Sequence, residues 1–232
     1  MFNKTLLIGA GLMAMVSAAH ATDSVDLNVK GTLVNGSCTP TLSGNGVVNF
    51  GHTPLGNLSK TDTNQLGGRS SLVLTITCDS AMPLGWTMVD NRNDSVQVLT
   101  IKNGKWDGSD VTGAEYEFGL GKTAGGVKIG AYSVYVDKGN VLADGVNAKM
   151  MYTDGDPTDK TKWVVSGAGE VKSNSSRVYS VEAESSSDGT VLPAKVTTWP
   201  IKVAAAIQGT DTLAISDDTN LDGSATISLV YI

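Results

Sequence analysis

No part of this 232-residue chain sustains the 3.6-residue apolar period of an amphipathic helix, and that excludes most helical architectures. Short β-branched or alternating runs recur instead at residues 47–50, 71–78, 98–101, 127–136, 163–165, 177–183 and 195–207. Clusters of Gly, Asn, Asp and Ser separate them, and the 27 glycines serve turns rather than a flexible linker. Seven such strands, with a cysteine pair joining an early strand to a later one, predict an all-β, immunoglobulin-like β-sandwich with one disulfide. Residues 141–176 are less regular, with Asp154-Gly-Asp-Pro157 and Gly167-Ala-Gly169 in them, and read as an excursion from the sandwich.

The N-terminus carries an export signal. Lys4 supplies the positive end, residues 6–16 are apolar but too few to span a bilayer, and Ala19-His20-Ala21 fits a small-x-small cleavage site. Residues 1–21 are therefore expected to be removed before Thr22. Their loss takes away one lysine and no acid, so the formal charge deepens from −6 to −7. A chain so acidic, without a basic stripe, is not a nucleic-acid binder. Cys38 and Cys78 are the only cysteines. In an exported protein they read as a single disulfide, which stabilises by about 4 kcal/mol in the chain-entropy model.

Both ends of the mature chain alternate. Val25, Leu27 and Val29 share one face of an opening strand whose other face is Ser24, Asp26, Asn28 and Lys30. At the C-terminus Ala225, Ile227, Leu229 and Tyr231 share a face opposite Thr226, Ser228 and Val230, and the chain stops one residue later at Ile232. The opening strand has two fates: pairing within its own sheet, or pairing with another molecule's open edge.

The order of these features resembles subunits of bacterial chaperone-usher fimbriae. It comprises a signal peptide, the alternating extension, Lys30-Gly31-Thr32-Leu33-Val34-Asn35-Gly36-Ser37-Cys38, a second cysteine about forty residues on, and the penultimate Tyr231. Cys38-Thr-Pro40, Leu42-Ser-Gly44, Asn49-Phe-Gly51 and Asp90-Asn-Arg92 are similar to an enterobacterial branch of fimbrial-like proteins. The resemblance implies an incomplete pilin-type sandwich over residues 31–232, preceded by a donor-strand extension at 22–30. It makes Val25, Leu27 and Val29 the donor side chains and Ile227, Leu229, Tyr231 and Ile232 the edge of an acceptor groove. The implied partners are a periplasmic fimbrial chaperone, an outer-membrane usher and neighbouring fimbrial subunits. The implied role is that of a structural subunit of a surface fimbrium contributing to cell adhesion.

The residues also allow a self-contained periplasmic or surface carbohydrate-binding β-sandwich, with Trp86, Trp106, Trp163 and Trp199 as candidate sugar platforms or as core. Signals for chemistry fall short. Asp218-Thr-Asn-Leu-Asp-Gly223 opens like a calcium loop, but its twelfth position is Leu229 rather than a bidentate glutamate. Gly121-Lys-Thr123 lacks the first glycine of a phosphate loop, where Tyr116 stands. His52 is the sole histidine after cleavage, so a catalytic triad would have to be built on it. The reading is of a non-enzyme without cofactor or metal.

Overall fold

The computed structural model describes residues 27–30 and 36–232. The chain divides into Met1–Val34 and Asn35–Ile232, and the fold is that of the second unit. The expected signal peptide and Val25 lie outside the described residues. Within 27–30 there is no regular structure, and Leu27 and Val29 are exposed.

Among the described residues eleven strands form in chain order: β1 Cys38–Leu42, β2 Asn64–Met82, β3 Leu84–Asp90, β4 Glu117–Gly119, β5 Gly130–Val136, β6 Leu142–Ala143, β7 Val146–Thr153, β8 Val164–Val165, β9 Val178–Ala183, β10 Ala194–Ile207 and β11 Ala225–Tyr231. One short helix, α1 Thr210–Leu213, precedes β11.

The immunoglobulin-like incomplete sandwich expected from the sequence is not the fold. Eight strands follow one another by hydrogen-bonded pairing in the order β1-β2-β10-β6-β7-β9-β3-β11. Every pairing is antiparallel. A single path of this kind curls into a nearly closed eight-stranded barrel, where a sandwich would have two separate sheets face to face. The long strands make the curl. β2 and β10 pair along most of their lengths with register shifts between Ala194 and Val196, Ile201 and Val203, and Ala205 and Ala206, and each shift bends and twists the ribbon.

Residues 141–176, expected to be an excursion, supply the link that turns two half-sheets into one. β6 and β7 form a hairpin whose two turn residues, Asp144 and Gly145, have φ of 49° and 80°, the left-handed pair of a type I′ turn. The Asp144 carboxylate then accepts from the backbone N–H of Lys195 (3.0 Å) and Val196 (2.7 Å), filling the first bulge of β10 and fastening the hairpin there. From β7 the path passes to β9 over six paired residues.

Two expected strands do not form. Residues 47–50 run as an extended passage that tucks Val48 and Phe50 against the core while Val47 faces solvent. Residues 98–101 contribute only an isolated bridge from Ile101 to Val111. β3 and β7 carry no strand signal in the sequence, yet β7 is central to the path and β3 joins β9 to β11.

The interior is filled by aromatic side chains. Trp86 of β3 lies 4.7 Å from the ring of Tyr179 on β9 and meets Trp199 of β10 edge to face at 5.5 Å. Both indoles are fully buried. Leu74 and Ile76 from β2, Met150 from β7 and Ile201 from β10 pack around them. Truncating Trp199 to alanine removes the contact between opposite walls, and Trp199→Ala is expected to lower unfolding free energy by about 3–5 kcal/mol in urea titration.

Candidate functional site

The two ends of the strand path, β1 and β11, are not paired with each other, and they border the candidate site. β1 is fastened to β2 by the Cys38–Cys78 disulfide, whose residues face each other in register with Cα atoms 4.0 Å apart. Asp79 N–H donates to Ser37 C=O, so Ser37, Thr39 and Thr41 turn their backbone groups toward β2. Cys38, Pro40 and Leu42 consequently turn theirs away from it, toward the seam.

The same parity holds on the other side. Asn91 N–H donates to Ser224 C=O, so Ser224, Thr226, Ser228 and Val230 bond to β3. Ala225, Ile227, Leu229 and Tyr231 present their N–H and C=O groups to the seam. The two edges differ as templates. Pro40 has no N–H to offer, which blunts the edge of β1, whereas β11 offers four consecutive alternate residues with full capacity.

At one end the seam is bridged: Cys38 N–H donates to the Tyr231 hydroxyl at 3.1 Å. This hydrogen bond joins the side chain of Tyr231 to the backbone of β1 across the seam. At the other end the seam opens into a cleft of about 290 Å³. Leu42, Val48 and Phe50 line it from the β1 side, Leu221, Gly223 and Ala225 from the β11 side, and Leu72, Met88, Tyr132 and Val134 are among its floor. Tyr132 stacks on Phe118 at 5.1 Å, and burial pushes its hydroxyl pKa up.

The wall of the cleft is held by two carboxylates. Asp90, opposite Ala225 in the register, is buried and accepts from Arg92 N–H (2.8 Å) and Gly119 N–H (2.8 Å). Burial raises its pKa above the ordinary value despite these two donors. Asp222 pairs with Arg92 through Nε at 2.9 Å and Nη2 at 3.2 Å. The final carboxylate of the calcium-like sequence is thus engaged by a guanidinium.

Of the residues singled out in the sequence, Ile227 and Leu229 are half-buried on the inner face of β11 and pack against the core. Tyr231 is 55% exposed beyond the core edge, and Ile232 is half-buried beside Gly85. Leu27 and Val29 are in the described residues but belong to no strand. Trp86, Trp163 and Trp199 are buried, and Trp106 is half-buried with its indole N–H given to Tyr135 C=O at 3.1 Å. Trp86, Trp163 and Trp199 are therefore packing residues. His52 is exposed in an irregular segment. No group of three or more metal-ligating side chains occurs among the described residues. The cleft-lining Leu72, Met88 and Leu120 had no signal of their own in the sequence, because only the barrel's curl brings them together.

Comparison with known proteins adds a family. Residues 27–133 match the family described as "Protein of unknown function (DUF1120)". The chain is 33% identical over 243 residues to "Uncharacterized protein YhcF" of Escherichia coli K12, covering 99% of this chain and 98% of that one. It is 30% identical over 261 residues to "Protein GltF" of the same organism, with both chains covered in full. The chain belongs to this family. No solved structure matches it. The family's matched region runs from Leu27 through β1 to the middle of β5, so it includes the disulfide and the β1 side of the cleft but not β11. As a disulfide-bonded β protein, this member is a protein of an oxidising compartment outside the cytoplasm, periplasmic or secreted.

Asp90 gives a test of the wall. Asp90→Asn keeps the shape but points an amide N–H₂ at one of two backbone donors, so it is expected to destabilise by about 1–3 kcal/mol in urea melts.

Proposed function

We propose that the chain is a self-contained, non-catalytic binding module of the cell envelope whose seam takes up an extended apolar polypeptide segment by strand addition to β11. The observation that carries this reading is the conjunction of a one-sided template with an apolar cleft. Ala225, Ile227, Leu229 and Tyr231 offer unpaired backbone groups along a line that ends in the cleft lined by Leu42, Phe50 and Met88. Backbone bonding to β11 would supply affinity at about 1 kcal/mol per hydrogen bond, and alternate apolar side chains entering the cleft would add about 1.5–3 kcal/mol each. The filled interior supports a module that folds before it meets its ligand.

A narrower version makes the segment residues 22–30 of another copy, so that the chain is a fimbrial subunit received by a periplasmic chaperone and an outer-membrane usher. Exposure of Leu27 and Val29 supports it.

Fluorescence anisotropy of a labelled peptide spanning residues 22–31, titrated with protein lacking 22–30, tests both versions. Saturable binding that Ile227→Asp weakens at least tenfold is expected. If a generic alternating apolar peptide binds as tightly, the broad reading stands and the narrower one fails; if neither peptide binds, both fail.

A further inference from the structure

On the outside of the barrel, away from the aromatic interior, a second small core lies between the sheet and a long crossing segment. Ala131 and Tyr135 of β5 and Ala204 and Ala206 of β10 form its base, and Ile101 and Val111 of the segment are fully buried against them. The segment is doubled on itself by the reciprocal Ile101–Val111 backbone bonds at 3.0 and 2.9 Å. Lys202 of β10 ties it down, donating to the carbonyls of Asn103 and Lys105 at 2.7 Å each. Gly104 sits directly on Ser133: an added Cβ there would come within 3.2 Å of its hydroxyl oxygen.

Glu117 is the polar group inside this core. It is fully buried at the start of β4, directly opposite Ser133 of β5, so the two side chains share a face. Its Oε2 accepts from Leu99 N–H at 2.9 Å, and the Gly113 N–H lies near the carboxyl group. Its other oxygen has no partner, and neither does the Ser133 hydroxyl. Two orphaned polar atoms on paired residues are costly around a charge and far less so around a neutral acid.

We propose that residues 97–113 form a pH-sensitive strap on the outer face of the barrel, closed while Glu117 is a neutral acid and loosened when it ionises. No counter-ion opposes that ionisation among the described residues. The titratable group of β5 that senses Glu117 is Tyr135, itself near Asp107 of the crossing segment, Tyr116 just before β4 and Glu170, none of them cationic. Of the two lysines on β10, Lys195 lies at its far end and Lys202 is held by strap carbonyls. Burial pushes the Glu117 pKa up to about 7.

The sign follows from a pKa raised on closing. Closure is fully favoured below the ordinary glutamate value and is lost as pH rises through about 7. Between pH 5 and pH 8 the strap-opening equilibrium should therefore increase on the order of 100-fold.

Hydrogen–deuterium exchange of the full chain, corrected for intrinsic rates, reads this directly. Peptides covering residues 99–111 should lose protection over that pH range relative to Glu117→Gln, while β2 and β10 do not change. Parallel curves for the two proteins would overturn the proposal. Carboxyl NMR of the unsubstituted protein is independent of the variant's folding, and a Glu117 titration near 4.5 would overturn it as well.

Discussion

The contact between Trp86 and Trp199 across the interior sets the dimensions of everything around it. Two indoles and Tyr179, meeting in one cluster, fill the bore and hold β3 and β10 at a fixed separation. Around that fixed girth, eight strands nearly close. They stop short where β1, carrying Pro40 on its outer edge, faces β11, and a proline there cannot complete a ladder. The remaining gap is bridged once, by Tyr231 to Cys38, and otherwise left as an apolar cleft.

The difference between the two edges gives the seam its direction. β1 is held by a disulfide and short of a donor, while β11 forms its ladder with β3 and keeps alternate backbone groups free. Inward-facing side chains and seam-facing backbone groups belong to the same residues of β11, because in an antiparallel strand both properties alternate with period two. A segment that pairs with Ile227 and Leu229 is thereby set beside the apolar floor.

Much of this was legible in the sequence where the physics is local. The β11 alternation, the strands around residues 71–78 and 195–207, and the disulfide all follow from period and composition. The closure was not legible, because it depends on the bulges at Ala194, Ile201 and Ala205, which leave little trace in a run of β-branched and small residues. Asp144-Gly145 is a readable hairpin signal inside the irregular 141–176 segment, and the hairpin joins the two halves of the sheet. Trp86 reads as either a sugar platform or core until the Leu84–Asp90 strand buries it. The cleft lay beyond local reading altogether, since its walls come from residues far apart in the chain.

The unpaired edge of β11 is the central claim, and residue-resolved amide exchange of the isolated protein measures it most directly. Thr226, Ser228 and Val230, bonded to β3, should exchange slowly, while Ile227 and Leu229 between them exchange rapidly. Uniform protection along residues 225–231 would mean that another strand already occupies the seam, and would contradict the account.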